Sequence, residues 1–316
     1  MNCDLFPADE LILRAKSGDL DAAVELDRSG FLVQPGESAE EYANRVAETK
    51  KHGLDFYKRF DRNGSLEIFP GLKVNLKDQI SREITEEAME RTREAYGICV
   101  RWVPGFFPER EFGPFWGGCA VWEEENPTPV IVIRKNFAGK QKWFIYDRTE
   151  LISHELCHAA RMPLMDQELE EHFAYGISRK WLRRAIGNCF QKDTDAILFV
   201  IPAIILALVQ SAITFLQLEW LPIWPFWILA LVWPVYLIAR NLIQTGKYKA
   251  ALKNLQMAGF TKPRMILFRS VYEETCLFAG TRPDHLRKLL AEKAEQEFRW
   301  RVILHAQSLC QDGSAS

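Results

Sequence analysis

The sequence predicts an α+β protein that is mostly helical and carries an inserted pair of transmembrane helices. Apolar residues recur at helical spacing over most of the chain. Three short runs, rich in β-branched and aromatic residues and separated by glycine and proline clusters, indicate strands. Two long stretches lack charged residues altogether. Together these observations divide the chain into four regions, namely 1–75, 76–192, 193–240 and 241–316.

Composition and charge exclude several classes of protein. The chain has 316 residues, a net charge of −2 and an isoelectric point near 6.4, so no nucleic-acid partner is expected. Its seven cysteines are scattered and form no CxxC pair, which indicates reduced thiols rather than a disulfide framework or a cysteine zinc site. The first residues contain neither a basic segment nor an apolar run, so no secretory signal peptide is expected there.

Region 1–75 is predicted to be helical. Apolar residues have helical spacing over 8–17 and 19–29, and Ser38 with Glu41 forms a capping box ahead of a helix over 42–60. A turn is expected over the residues Arg62-Asn63-Gly64-Ser65. This region has no recognisable chemistry, and packing is a simpler interpretation of it than partner binding.

Region 76–192 is predicted to combine helices with strands. A charged amphipathic helix over 84–96 should end at Gly97. Asp147 and Glu150 are placed to cap a later helix. Strand-like runs between these helices cover 98–103, 119–122 and 130–133.

Region 193–240 is predicted to be a transmembrane hairpin. Residues 196–218 would form about 35 Å of helix and residues 221–239 about 28 Å, whereas the bilayer core is about 30 Å thick. Tryptophans near the connection are typical of the membrane interface. The alternative is a buried hairpin in a soluble protein, which two such runs in succession make less favourable.

The distribution of basic residues predicts the orientation in the membrane. Lysines and arginines flank the outer ends of both apolar runs, and none lies in the connection around Glu219 and Trp220. By the positive-inside rule, residues 1–195 and 240–316 are expected in the cytoplasm. We therefore expect an integral membrane protein, of a bacterial inner membrane, with the lipid bilayer as one partner.

Region 241–316 is predicted to be helical again. A first helix should end at Gly259, and further helices are expected over 265–279 and 284–309. His285 and His305 are interpreted as surface or packing residues. The tail over 312–316 is expected to be disordered.

The segment His154-Glu155-Leu156-Cys157-His158 contains the motif H-E-x-x-H. On a helix, His154 and His158 share one face because they are four residues apart, and two imidazoles on one face can bind a single zinc ion. Glu155 lies about 100° around the helix, beside the metal, where it can act as general base towards a zinc-activated water. Cys157 is interpreted as a core residue.

A second helix with several glutamates follows the motif. It covers 168–175 and is separated from the motif by a short break that contains Pro163. A carboxylate from this helix would be a third zinc ligand and would leave the fourth position open for water. The alternative is a surface helix with two unrelated histidines, but the chain has only six histidines and two of them lie in the motif.

These residues resemble the zinc metallopeptidases called zincins and, within them, the gluzincins, whose third ligand is a glutamate. The piece Glu171-His172-Phe173-Ala174 is similar to the E-x-F-A found around that ligand in several gluzincins. The metzincin pattern fails because Leu164 stands where it requires histidine. The resemblance implies a zincin-like α+β domain over 76–192 and one Zn2+ per chain. It also implies a peptide or protein substrate, paired with a strand at 119–122 or 130–133. The alternative is that these runs are plain internal strands.

Two glutamates compete for the place of third ligand. The resemblance favours Glu171. Helical geometry favours Glu170, because it lies near the centre of an apolar face and a buried glutamate needs a cation partner. Glu168 is a third option. The expected apolar face consists of Leu169, Phe173, Ala174, Ile177 and Trp181.

The sequence thus predicts a membrane-anchored zinc metallopeptidase with Glu155 as general base and a cytoplasmic active site. Charged residues in the motif helix place it outside the bilayer and argue against an intramembrane protease of the site-2 type. The oxyanion would need another donor, for which sequence position suggests Tyr175 first. The other nearby candidates are His172, Arg161 and Tyr146; Arg161 has an alternative role as a helix cap or a partner of Glu170.

Three other interpretations of the sequence stay open. The protein could be a zinc hydrolase that acts on a non-peptide bond. It could instead be a non-catalytic membrane adaptor with a structural zinc. In the third interpretation, H-E-x-x-H is accidental and the terminal helices form a membrane-bound interaction module.

Overall fold

The computed structural model is mostly helical, with few strands. It describes residues 5–69, 71–108, 116–123, 126–218 and 220–312. The predictions for Glu219 and for the tail after Asp312 lie outside the described residues. The chain begins with α1 (Asp9–Lys16), α2 (Leu20–Arg28) and the long helix α3 (Ala39–Asn63). Helix α1 packs on both α2 and α3, and the three helices form a first helical layer.

The predicted N-terminal helices are confirmed, and a β-hairpin follows them. The capping box of Ser38 and Glu41 starts α3, and Gly64 ends it with a φ of +68°. The expected turn over 62–65 is therefore wrong in its extent, because α3 continues to Asn63. Antiparallel strands β1 (Ser65–Phe69) and β2 (Leu72–Asn75) follow directly, and sequence reasoning missed both.

Helix α4 (Arg82–Tyr96) ends at Gly97 as predicted, but the strand expected over 98–103 is wrong. Its apolar side chains are buried against the N-terminal helices instead. The N–H of Cys99 donates to the carbonyl of Arg28, and the Trp102 ring stacks on Phe31. Burial thus explains the apolar character of this segment without sheet pairing.

A small sheet lies beside the helical layer. It consists of β3 (Gly105–Phe106), β4 (Gly118–Glu123) and β5 (Asn126–Ile133), in the order β3-β5-β4. Strand β5 is central, parallel to β3 and antiparallel to β4. Of the two runs considered for substrate pairing, 130–133 is therefore internal, and 119–122 lies on an edge strand. A short hairpin of β6 (Lys142–Trp143) and β7 (Tyr146–Asp147) follows.

Helix α5 (Arg148–Arg161) carries the H-E-x-x-H motif and begins as predicted at Asp147, whose carboxylate accepts the N–H of Glu150. A short 3-10 turn leads to α6 (Glu170–Gly176), which carries the glutamates. The expected apolar face is wrong at Trp181, which belongs to the separate helix α7 (Trp181–Ile186) and is 72% exposed.

Two long helices, α8 (Asp193–Leu216) and α9 (Trp224–Met257), are long and apolar enough to cross a membrane. They pack on each other, yet the most apolar 18-residue window of α8 is 0% buried and that of α9 only 11% buried. The protein itself therefore does not cover these surfaces. The apolar run ends at Arg240, and α9 continues from there without interruption to Met257.

The C-terminal region consists of α10 (Pro263–Phe268), α11 (Tyr272–Gly280), α12 (Pro283–Gln296) and α13 (Phe298–Asp312). Each of the two helices expected here is divided in two. The break before Phe298 brings that ring and Trp300 into the core.

A single hydrophobic cluster joins the terminal regions to the centre of the chain. It contains side chains from α1–α3, from α5 and α6, and from α9–α13. Asp27 of α2 forms a buried ion pair with Arg269 between α10 and α11. Arg161 at the end of α5 donates to the carbonyl of Phe268. Residues from both the N-terminal and the C-terminal parts of the chain therefore pack around the helix that carries the motif.

Candidate metal centre

Helix α5 presents His154 and His158 on one face, as the four-residue spacing requires. Their Nε2 atoms are 3.1 Å apart. The opposite face of α5, including Ile152, Leu156 and Ala160, is buried in the core. Packing on that face holds the two imidazoles in place and directs both Nε2 atoms towards the same point.

Helix α6 places Glu171 against this pair of histidines. Its carboxylate oxygens lie 3.6 Å from Nε2 of His154 and 3.5 Å from Nε2 of His158. In the part of the chain that the structure describes, these three residues are the one group of histidine, cysteine and carboxylate side chains close enough to share an ion.

The three donors fit a zinc ion. Zinc binds imidazole nitrogen and carboxylate oxygen at about 2.0–2.2 Å in a tetrahedron, so its ligand atoms lie roughly 3.3–3.5 Å from one another. The two Nε2 atoms are 3.1 Å apart, and each lies 3.5–3.6 Å from a different carboxylate oxygen of Glu171. One donor atom from each of the three residues lies within 4.8 Å of the other two, which is close enough for all three to share an ion. A neutral imidazole pair with one carboxylate also suits the borderline character of zinc.

Glu170 occupies a different position. It forms a hydrogen bond of 3.2 Å with Nδ1 of His158, on the other side of the ring from Nε2. Its second oxygen accepts from Nε of Arg161 at 3.0 Å. This geometry makes Glu170 the group that orients His158, while Glu171 has the position of a ligand. The exposed Glu168 is outside the cluster, and its N–H donates to Asp166.

Arg161 holds the carboxylate of Glu170 in place from the side of the core. Its guanidinium is fully buried between the rings of Phe173 and Phe268, and it also pairs with Asp166 at 2.7 Å. The pairing with Glu170 that the sequence suggested is confirmed. Because Arg161 is enclosed in this way, it is a structural residue behind the site and does not face the donors.

The His154 ring is also held from behind. The main chain of Ala174 in α6 lies near this ring and favours its protonated form. Each histidine thus has its own partner, Ala174 for His154 and Glu170 for His158. Such outer partners fix the tautomer and orientation of metal-binding histidines.

The two histidines have opposite electrostatic environments in the metal-free chain. Burial, together with the charges of His158 and Arg183, lowers the pKa of His154 well below its ordinary value. Burial also opposes the charge of His158. The hydrogen bond to Glu170 and the nearby charges of Glu171 and Glu155 outweigh this effect and raise the pKa of His158 to about 9. Burial raises the pKa of Glu171 to about 7. The three glutamates therefore favour positive charge at the position of His158.

Glu155 lies beside the donors and contacts the edge strand. Its Oε2 accepts the backbone N–H of Ala120 in β4 at 2.8 Å. Burial raises the pKa of Glu155, and the charge of His158 and the Ala120 hydrogen bond oppose that rise. A buried carboxylate with a raised pKa accepts and releases a proton more readily near neutral pH.

Of the suggested oxyanion donors, the structure brings Tyr175 nearest to the histidines. Its ring lies edge-on to His154, with 4.6 Å between the ring centroids. Burial raises the pKa of its hydroxyl, so that the hydroxyl stays protonated. Tyr146 is linked to Tyr175 through Arg183, whose guanidinium lies over both rings. His172 is directed instead towards α9, where it packs on Tyr248.

Sequence reasoning missed three contributors to the site. The N–H of Ala120 is a main-chain group, so no residue pattern identifies it. Arg183 was considered only as part of a basic stretch, yet it pairs with Glu150 of α5 at 2.7 Å and affects His154. Asp166 lies in the break between the helices and is nearly buried against Arg161.

Comparisons with protein-family models, curated proteins and solved structures found no match for this chain. Site geometry and physical chemistry alone therefore carry the functional argument.

Proposed function

We propose that this protein is a membrane-anchored, zinc-dependent metallopeptidase with a zincin-like catalytic region. One observation carries the proposal: one donor atom each of His154, His158 and Glu171 lies within 4.8 Å of the other two, so the three residues could hold one zinc ion. Glu155 lies beside them in the position of a general base. An edge strand borders the same carboxylate.

His154, His158 and Glu171 would hold the zinc ion. Zinc, when bound, acidifies a water molecule and polarises a carbonyl. Glu155 accepts the proton of the attacking water on the oxygen that Ala120 does not hold. The water oxygen bonds to the carbonyl carbon, and the C–N bond then breaks as Glu155 delivers that proton to the leaving nitrogen. Tyr175 is the proposed hydrogen-bond donor to the developing oxyanion.

A peptide substrate is supported by the position of β4. The strand pairs with β5 on one side. The N–H of Ala120 points to the other side, towards Glu155. An extended peptide can add to such an edge through main-chain hydrogen bonds, and this would bring its backbone next to the general base.

The membrane anchor is supported by the uncovered surfaces of α8 and α9. Helices that expose this much apolar surface require lipid or a partner to cover it. Trp220 and Trp224 are exposed at the connection, where the interface of a bilayer would lie. With the positive ends on the inner side, the metal centre would be in the cytoplasm of a bacterium, close to the membrane surface.

Zinc content of the detergent-purified chain tests the site. We expect about one zinc per chain in the wild type and in Glu155→Gln, and none in Glu171→Ala. In Glu170→Ala we expect zinc that a chelator removes more easily. Absence of zinc in the wild type after reconstitution would refute the metal centre. Loss in Glu170→Ala with retention in Glu171→Ala would exchange the roles of the two glutamates.

Hydrolysis tests the mechanism. With a peptide library as substrate, Glu155→Gln should retain its zinc and lose about 100-fold to 10,000-fold in rate, the usual contribution of a general base. Full activity of this variant would refute the mechanism. Zinc binding without any hydrolysis of peptides would favour a structural zinc or another bond as the target.

A further inference from the structure

A cavity of about 530 Å³ lies behind α6, between α7 and the part of α9 that follows the apolar run. Pockets of this size hold small ligands and headgroups. Its lining combines three cations with aromatic, amide and hydroxyl groups. The principal lining residues are Arg184, Lys249, Arg264, Thr245, Leu242 and Trp181.

Within the described part of the chain, the three cations have no acidic partner. Among the described residues, no carboxylate lies within 4.0 Å of Arg184, Lys249 or Arg264, and no acidic residue lines the cavity. Neighbouring arginines differ in this respect, because Arg183 pairs with Glu150 and Arg240 with Asp195. Three unpaired cations around one cavity attract an anion with several oxygen atoms.

The position of the cavity along α9 indicates which kind of anion would bind there. The apolar run of α9 ends at Arg240, and Thr245 and Lys249 follow within about 14 Å along the helix. If the apolar run lies in a bilayer, the headgroup layer extends about 5–8 Å beyond the hydrocarbon core. Thr245, about 8 Å past Arg240 along the helix, then lies at the edge of this layer, and Lys249 lies just beyond it. Leu242 lines the cavity and is itself exposed, next to the apolar run.

Helix α7 forms the outer wall of the cavity and has the character of an interfacial helix. Trp181, Leu182 and Ile186 are exposed large apolar residues. They stand on either side of Arg183 and Arg184 in the sequence of the helix. Amphipathic helices of this composition lie in the plane of the membrane interface, with cations near lipid phosphates. The amide of Asn241 donates to the carbonyl of Ala185 and thereby fixes α7 on α9.

We propose that this cavity binds the headgroup of one anionic phospholipid. Arg184, Lys249 and Arg264 hold the phosphate, and the acyl chains leave past Leu242 and Trp181 into the bilayer. The proposal rests on the membrane placement given above and not on zinc or hydrolysis. The cavity also adjoins α6, the helix of Glu171, through His172 and Gly176.

Native mass spectrometry of the detergent-purified full chain tests the site, with phosphatidylglycerol and phosphatidylcholine as probes. We expect one tightly retained phosphatidylglycerol per chain and at least tenfold weaker retention of phosphatidylcholine. The triple variant Arg184→Gln, Lys249→Gln, Arg264→Gln should bind phosphatidylglycerol about a hundredfold more weakly. This follows because each basic residue near an anionic headgroup contributes about 1 kcal/mol and about 1.4 kcal/mol is a factor of ten.

The matched control removes the same charge from exposed sites outside the cavity. It carries Arg179→Gln, Lys247→Gln and Lys253→Gln, and we expect wild-type lipid retention. Equal losses in both triple variants would overturn the proposal, because they would indicate general attraction to anionic lipid.

Two further measurements distinguish the ways in which the lipid proposal could be wrong. Displacement of the lipid by millimolar inorganic phosphate would overturn the lipid assignment in favour of a soluble phosphate ligand. A chain that stays soluble without detergent would overturn the membrane placement itself. Lipid retention is also measured for the three single variants of Arg184, Lys249 and Arg264, each of which is at an exposed position. Gel filtration in detergent verifies that every variant is folded.

Discussion

At the scale of single residues, adjacent glutamates have different tasks because a helix turns about 100° per residue. Glu171 faces the two Nε2 atoms, whereas Glu170 faces Nδ1 of His158 and the buried Arg161. The expectation that a glutamate on the apolar side needs a cation partner therefore applies to Glu170. It does not make that residue the ligand, because the partner is an arginine.

Glu170→Gln tests this division of tasks. We expect its zinc affinity to fall about 10-fold to 100-fold, as for other partners of metal-binding histidines. The variant loses the charged contact to Arg161 and the strong acceptor for His158. Chelator competition measures the affinity, with the exposed Glu168→Gln as control. An unchanged affinity in Glu170→Gln would show that His158 is oriented without it.

Cys119 provides a test that needs no substrate. Burial and the charge of Glu155 raise the pKa of its thiol to about 11. The reactive thiolate is therefore scarce below that pH, and alkylation at pH 8 should be roughly a hundredfold slower than for a thiol of ordinary pKa. Mass spectrometry after iodoacetamide treatment, in chelator and over pH 7–11, should show the rate rising with pH.

Replacement of Glu155 by Gln should accelerate that alkylation at a fixed pH, because a nearby negative charge no longer opposes the thiolate. The chain unfolded in denaturant serves as the reference for an unburied thiol. A rate at Cys119 equal to that of the unfolded chain would contradict the buried position of this thiol beside Glu155.

At the scale of elements, the start of α5 determines where the motif histidines point. Asp147 caps the helix by accepting the N–H of Glu150 and also pairs with Arg91 at 3.4 Å. The helix then runs without interruption to Arg161. A change in its first turn would rotate or fray the segment that leads to His154.

Asp147→Ala should destabilise the protein by about 1 kcal/mol, the usual cost of a lost N-cap. Asp147→Asn should cost less, because an amide oxygen still caps the helix while the ion pair is lost. Thermal unfolding in detergent measures both. Ser81→Ala is the matched control, since Ser81 is the N-cap of α4 but its side chain caps nothing. Equal effects of Asp147→Asn and Asp147→Ala would assign the stability to Arg91 instead.

At the scale of the whole molecule, buried ion pairs connect distant parts of the chain. Asp27 and Arg269 are both nearly inaccessible, and Arg269 also donates to the carbonyls of Tyr96 and Met265. Arg161 joins α5 to the same segment between α10 and α11. The helix that carries His154 and His158 is thus held by residues more than a hundred positions away in sequence.

Asp27→Ala should destabilise the fold by about 3–5 kcal/mol, because it leaves the charge of Arg269 buried and unpaired. The double variant Asp27→Leu, Arg269→Met should recover most of that loss, since no charge is then buried. The exposed pair Lys288 and Glu292 is the control, and Glu292→Ala should change stability by about 1 kcal/mol or less. A double variant as unstable as Asp27→Ala would contradict this explanation.

The sequence determined the local features of this protein. Helical spacing and a capping box predicted α1–α5 within a few residues, and H-E-x-x-H predicted that two imidazoles share one face. The two apolar runs predicted helices long enough to span a membrane. Each of these features depends on residues only a few positions apart, so the chain encodes it directly.

Only the tertiary structure decided which groups meet across elements. It brought Ala120 to Glu155, placed Glu170 rather than Glu171 behind His158, and buried 98–103 without making it a strand. It also continued α9 past Arg240, where cations from three helices surround one cavity. The physical reason is that these contacts join residues far apart in the chain, and their distances and burial follow from packing of the whole molecule rather than from local pattern.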